Sequence, residues 1–308
     1  MRVQDLRRWL PALFALAAAG CASAPPAPSG PVAISPADLA SLTYTGILEQ
    51  PVTLTDGVYE GPPYQAGAAA RPRVALVRDL VIQGDLDGDG VDDAAAILSA
   101  STGGSGSFVY LAAASGATGE PRNVGTVLLG DRVDIRTFEI DGGNIRLRIL
   151  EAGPGDAACC PMQQVSRVFG VGNGALLPLA RIEAGRLSPV SLAGTRWRLT
   201  HFDIGEPAPS GPEVTLEFGE NGDFGGDSGC NRYMGRLETT DSGQLEAGPV
   251  AGTRMACEGP AMAVEDRYLA LVGGTHQVGF YNTRLALTYH SGESAGVLLF
   301  ERAVAPNE

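Results

Sequence analysis

The chain has 308 residues and a formal net charge of −13, and its 22 basic residues are all arginine. An acid excess of that size argues against nucleic acid, whose phosphates demand a basic face, and the lack of lysine excludes Schiff-base and lysine phosphate-loop chemistry. Forty-two glycines and 21 prolines, with only scattered helical periodicity, predict a mainly β protein of two β-rich domains.

Three arginines and one aspartate in "MRVQDLRR" precede the apolar run "WLPALFALAAAG". That run is too short to cross a bilayer as a mature helix, so residues 1–20 read as a signal peptide. Ala18-Ala19-Gly20-Cys21 resembles a bacterial lipobox, which implies cleavage before Cys21 and lipidation of its thiol. Ala18 stands where leucine is usual, and Ala22-Ser23-Ala24 offers an ordinary secretory cut as the alternative. Residues 21–36, "CASAPPAPSGPVAISP", form a Pro/Ala-rich tether with nothing to bury. Lacking an aspartate after Cys21, the mature chain is expected at the periplasmic face of the outer membrane, held there by its lipid.

Residues 37–189 make the first domain. In "VIQGDLDGDGVDDAAAILSA", Asp85, Asp87 and Asp89 fall at loop positions 1, 3 and 5, Val91 can offer its carbonyl at 7, and Asp93 stands at 9, an oxygen set suited to Ca²⁺. Position 12 is Ala96, so this is not an EF-hand. The loop resembles the Asp-rich calcium loops of FG-GAP-type modules, but it occurs once, and only the local loop carries over. An acidic β-turn with aspartates capping backbone amides is the alternative. "GGSGSFVYLAAA" lacks the spacing and the following helix of a nucleotide-phosphate loop. Asp141-Gly142-Gly143-Asn144 predicts a hairpin turn, and "VSRVFGVGNGALLPL" a second strand pair. Cys159, Cys160 and Met162 are soft donors able to hold Cu(I). In an oxidising compartment a vicinal disulfide, or one cysteine bridged elsewhere, takes precedence.

From residue 190 to 303, "TRWRLTHF", "VTLEF", "RYMGRLETT" and "QLEAGPV" read as strands. "GPAMAVEDRYLALVGG" reads as a helix with Ala261, Val264, Tyr268 and Leu271 on one face, and "RLALTYH" with "GVLLFER" as a closing hairpin. Residues 304–308 are a tail. "GDSG" at 226–229 invites comparison with serine proteases, yet only His201 precedes Ser228 and no triad assembles around it. The blocks "LAGTRWRL", "SGCN", "TRMAC" and the glutamate-bearing helix resemble, in order, the META domain, the HslJ-like family. That resemblance implies a small β-rich fold with one packed helix, often lipid-anchored or periplasmic, linked to heat-shock and antibiotic-tolerance phenotypes, with no catalytic residue. It also implies that Cys230 meets Cys257, where a bridge would stabilise by roughly 3–4 kcal/mol; two free thiols are the alternative. Asn231 and Arg254 are candidates for polar recognition or for structural hydrogen bonds.

These readings converge on a non-enzymatic outer-membrane lipoprotein of envelope stress or antibiotic tolerance. The rival is a calcium-dependent module binding an envelope polymer or protein, and a secreted hydrolase is a third class.

Overall fold

The computed structural model describes residues 30–63, 67, 69–240 and 245–303. Cys21, the leader and the 304–308 tail lie outside the described residues. A short helix, α1 (Pro36–Leu39), is capped by Ser35, whose hydroxyl accepts the Asp38 N–H while Asp38 bonds back to the Ser35 amide. It leads through β1 (Thr43–Tyr44) and β2 (Val52–Thr53) into a five-stranded antiparallel sheet in chain order: β3 (Val58–Glu60), β4 (Arg73–Gly84), β5 (Asp93–Ser101), β6 (Phe108–Ser115) and β7 (Arg122–Asp131). A second antiparallel sheet follows, also in chain order: β8 (Asp134–Asp141), β9 (Asn144–Glu151), β10 (Gln163–Gly172) and β11 (Ala175–Arg186).

The two sheets pack as a sandwich. One core joins Ile97, Val109 and Leu111 to Ile145, Leu147, Val165 and Phe169. The outer face of the first sheet is covered too, because Ile34, Leu39, Tyr44, Ile47, Val52 and Leu54 pack against Val74, Ala94, Ala96, Leu98, Ala112 and Ala114. A strand buried on both faces has no polar side to alternate with. That is why β5 and β6 carry the runs Ala94-Ala95-Ala96-Ile97-Leu98 and Leu111-Ala112-Ala113-Ala114, all at most 1% exposed. Ile34, assigned from sequence to the tether, is fully buried and belongs to this cover.

The β8–β9 hairpin turns at Gly142 and Gly143, both at positive φ, the backbone a tight hairpin of this twist requires. A 3₁₀ turn at Pro189–Leu192 then leads to the third sheet: β12 (Arg196–Asp203), β13 (Glu206–Pro207), β14 (Thr215–Phe218), β15 (Asp223–Asp227), β16 (Arg232–Thr239), β17 (Leu245–Ala247), β18 (Ala251–Gly252), β19 (Thr275–Tyr281), β20 (Arg284–Ser291) and β21 (Ser294–Arg302). Its order is β17-β16-β15-β14-β12-β21-β20-β19, with β13 on β12 and β18 on β16. The end strands β17 and β19 approach one another, so the sheet curls towards closure.

The helix α2 (Ala261–Val272) lies between β18 and β19. Val264, Tyr268 and Leu271 are buried, as their spacing predicts, and Tyr268 stacks edge-on with Tyr233 and Phe300. The Tyr268 and Tyr233 hydroxyls lie 2.6 Å apart, and Tyr233 donates onward to the Thr215 carbonyl. This core reaches past the expected boundary at residue 190, for Leu150, Met162 and Leu187 share it with Trp197, Phe280 and Leu298. Among the described residues no helix is long and apolar enough to cross a membrane.

The alanines of β5 and β6 leave no space for larger side chains. Ala113→Leu should destabilise by about 1–3 kcal/mol through overpacking, whereas Leu179→Ser, at a position 57% exposed on β11, should change stability by about 0.5 kcal/mol or less. Urea unfolding of the two variants checks the contrast.

Candidate functional site

The acidic loop joins β4 to β5. Asp85, Asp87 and Asp89 each bring a carboxylate oxygen within 4.8 Å of the others. The chain arranges them through its own amides: Asp85 accepts Gly88 N–H at 2.6 Å and Gly90 N–H at 3.0 Å, Asp87 accepts Asp89 N–H at 3.2 Å, and Asp89 accepts Val91 N–H at 2.8 Å. Ser115 on β6 donates to the second oxygen of Asp87 at 3.1 Å. Asp93 is placed differently. It is 2% exposed and its Oδ2 accepts Leu86 N–H at 3.1 Å. Burial holds its carboxyl above the ordinary range, with the Asp87 charge adding, against hydrogen bonds from Ser115, Leu86 and Gly116. Three of the five residues singled out by spacing thus form one cluster, Val91 enters through its amide, and Asp93 supports the loop from inside the fold.

The GDSG stretch ends β15 and enters the turn to β16. Gly229, at φ +104°, provides a backbone angle that L residues resist. Ser228 is fully buried, and its hydroxyl lies 2.6 Å from both Glu265 Oε2 and the Asn231 carbonyl, so its one proton is committed to structure. Glu265, on the inward face of α2 and 5% exposed, also accepts Asn231 N–H at 2.7 Å and Asn231 Nδ2 at 2.9 Å. Burial acts to raise its pKa, but the bonds from Ser228 and Asn231 and the amides of Asn231 and Cys230 outweigh this and hold it below the usual carboxylate value.

Asn231 extends the network. Its Oδ1 accepts Met255 N–H and the Thr253 hydroxyl, both at 2.7 Å, and its Nδ2 donates to the Met255 carbonyl at 3.0 Å. The same turn sets Cys230 against Cys257, their Cα atoms 5.9 Å apart and their sulfurs at disulfide distance. Arg254 is exposed. None of the three histidines is among Ser228's partners: His201 lies beside Thr200 and Arg284, and His276 and His290 pack ring against ring.

Thr253 also lines a cleft of about 740 Å³ on the outside of β14, β15, β16 and β18. Gly225, Gly226 and Gly252 line it together with Arg232 and Met234, the latter 68% exposed. The buried network therefore positions Thr253 in one wall of this cleft. The sequence marks Glu265 only as the glutamate of the helix that resembles the family's, with no role attached to it. Its signal was an acidic residue one position after Val264 on a helix face otherwise apolar at Val264, Tyr268 and Leu271.

The loop between β9 and β10 brings Cys159 and Cys160 together as a vicinal disulfide. Met162 is buried, and the nearest donor to its sulfur is Arg186, which also pairs with Asp156. With both cysteine sulfurs joined, the soft-donor set for Cu(I) does not form.

Replacing Glu265 leaves the buried Asn231 N–H and one hydrogen of its Nδ2 without an acceptor, each worth about 1–3 kcal/mol. Glu265→Ala should therefore lose roughly 3 kcal/mol or more, and Ser228→Ala about 1 kcal/mol. Because the folded-state pKa of Glu265 lies below its unfolded value, its contribution is full above the ordinary carboxylate range and disappears as pH falls through the folded value. Glu265→Gln should flatten that acid limb, which denaturant unfolding between pH 6 and pH 3 would show.

A search of curated proteins finds no match. Of the solved structures, one described as "NMR structure of the protein" is 27% identical and covers 39% of this chain and 99% of its own, with a TM-score of 0.31. Another, from Burkholderia xenovorans, is 28% identical and covers 38% of this chain and 89% of its own, with a TM-score of 0.28. Residues 190–304, the unit organised by the Ser-Gly-Cys-Asn turn and the glutamate of α2, match the family model of the META domain.

Proposed function

We propose that the chain is a non-enzymatic envelope lipoprotein, held to the outer membrane through Cys21, whose META domain contributes to envelope stress or antibiotic tolerance. The observation that carries the non-enzymatic reading is Ser228 at 0% exposure, its hydroxyl bound to Glu265 and Asn231. A nucleophile must reach its substrate, and this one is enclosed and serves as a scaffold donor. The leader and Cys21 support the address. Wild-type protein expressed in a bacterial envelope should incorporate labelled palmitate and Cys21→Ser should not; absence of label from the wild type would remove the lipid anchor.

A second reading is favoured by the cleft over Gly225, Gly226 and Gly252. In it the protein binds an envelope polymer or protein, and Ca²⁺ steadies the N-terminal domain. Asp85, Asp87 and Asp89 would hold the ion, since hard carboxylate oxygens already converge there and repel one another when bare. Millimolar Ca²⁺ should raise the melting temperature, and Asp87→Ala should abolish the rise. Calorimetry showing neither heat nor shift would leave the aspartates as caps for the turn amides.

A further inference from the structure

The Cys159–Cys160 turn is where the two β units meet. Cys160 is fully buried against Ala286, Val297 and Leu299, residues of β20 and β21, with Cys159 and Tyr281 at the edge of the same cluster. Contact with β19 is close: a methyl group on Gly279 would come within 3.0 Å of both the Cβ and the carbonyl oxygen of Cys160. Gln277 on β19 clamps the turn at two points, accepting Ala157 N–H at 3.1 Å and donating to the Cys160 carbonyl at 3.3 Å. Nearby, the Arg136 guanidinium of β8 lies 4.0 Å from the Phe280 ring centre. The disulfide thus packs one unit against the face of the other's sheet.

We propose that Cys159–Cys160 is a reversible thiol–disulfide site, open to a dithiol reductant, whose oxidation state controls docking of the N-terminal sandwich on the META domain. Bonded sulfurs lie about 2 Å apart, and as separate thiols they must move to van der Waals separation, roughly 3.5–4 Å. Cys160 is fully buried among Ala286, Val297 and Leu299 with Gly279 close against it, and enclosed sites respond to added bulk by displacement. Reduction therefore expels the turn, releases both Gln277 hydrogen bonds and opens the β19 face.

The exchange balances as follows. A thiolate of the dithiol attacks the sulfur of Cys159, which is only half-buried, and the Cys160 thiolate leaves. The second thiol of the reductant then attacks its own sulfur in the mixed disulfide and frees Cys159. The two cysteines gain two electrons and two protons, and the reductant becomes a disulfide.

The test titrates the oxidised, natively folded protein with dithiothreitol. Alkylation with peptide mapping follows each cysteine, and hydrogen exchange follows residues 275–281. A variant with Cys159→Ala and Cys160→Ala, which retains Cys230 and Cys257, is the control for the second bridge. Joint alkylation of Cys159 and Cys160 should coincide with roughly tenfold or faster exchange in β19, reversed by oxidised dithiothreitol and absent when the control is reduced. The proposal is overturned if the bond opens without a change in β19, if the control changes equally on reduction, or if the bond resists the dithiol until the protein unfolds.

Discussion

A carboxylate inside a protein must be surrounded by donors or give up its charge, and Glu265 is surrounded. It takes hydrogen bonds from a serine hydroxyl, an asparagine amide and backbone N–H groups of one turn. The helix that carries it is thereby fixed in rotation and height against the sheet. Tyr268, one turn further along, can then meet Tyr233 and Phe300. The turn is fixed in return, which sets Cys230 beside Cys257 and Asn231 beneath Thr253 and Met255. A motif with the letters of a protease is thus a socket for a helix.

The sandwich and the C-terminal unit are joined by more than a linker. Leu150, Met162 and Leu187 enter the C-terminal core, and the Cys159–Cys160 turn packs on the face of its sheet. Asp134 belongs to this junction too: it is buried, pairs with Arg136 at 3.0 Å and accepts the Thr283 amide. Burial raises its pKa and the Arg136 charge opposes that rise. Apolar contact, hydrogen bonding and an ion pair therefore act at one seam.

Much of this architecture was legible in the sequence. The hairpin at Asp141–Asn144 was readable because successive glycines admit positive φ, and α2 because Val264, Tyr268 and Leu271 recur at helical spacing. The role of Glu265 was not readable, because its partners are 34 and 37 positions away and a glutamate on a helix is ordinarily solvated. The calcium-type spacing grouped Asp93 with its neighbours; in the fold the first ladder pair of β5 with β4 turns it inward. β19 escaped notice because its residues, Thr275 to Tyr281, are buried with little alternation. The domain boundary was blurred for the same reason, since contact between distant segments has no local pattern.

The cover over β5 and β6 has a consequence for synthesis. Ile34 to Leu54 are made before the alanine-rich strands they will shield, so their packing is incomplete until Ala112 and Ala114 exist. The pairing spans some 60 to 80 positions, and such distant closures are slow to form. During that interval Ala94–Leu98 and Leu111–Ala114 are uncharged, proline-free apolar segments, the kind that seek each other in neighbouring chains. Holding the nascent cover close to its own strands is therefore protection against assembly with other copies.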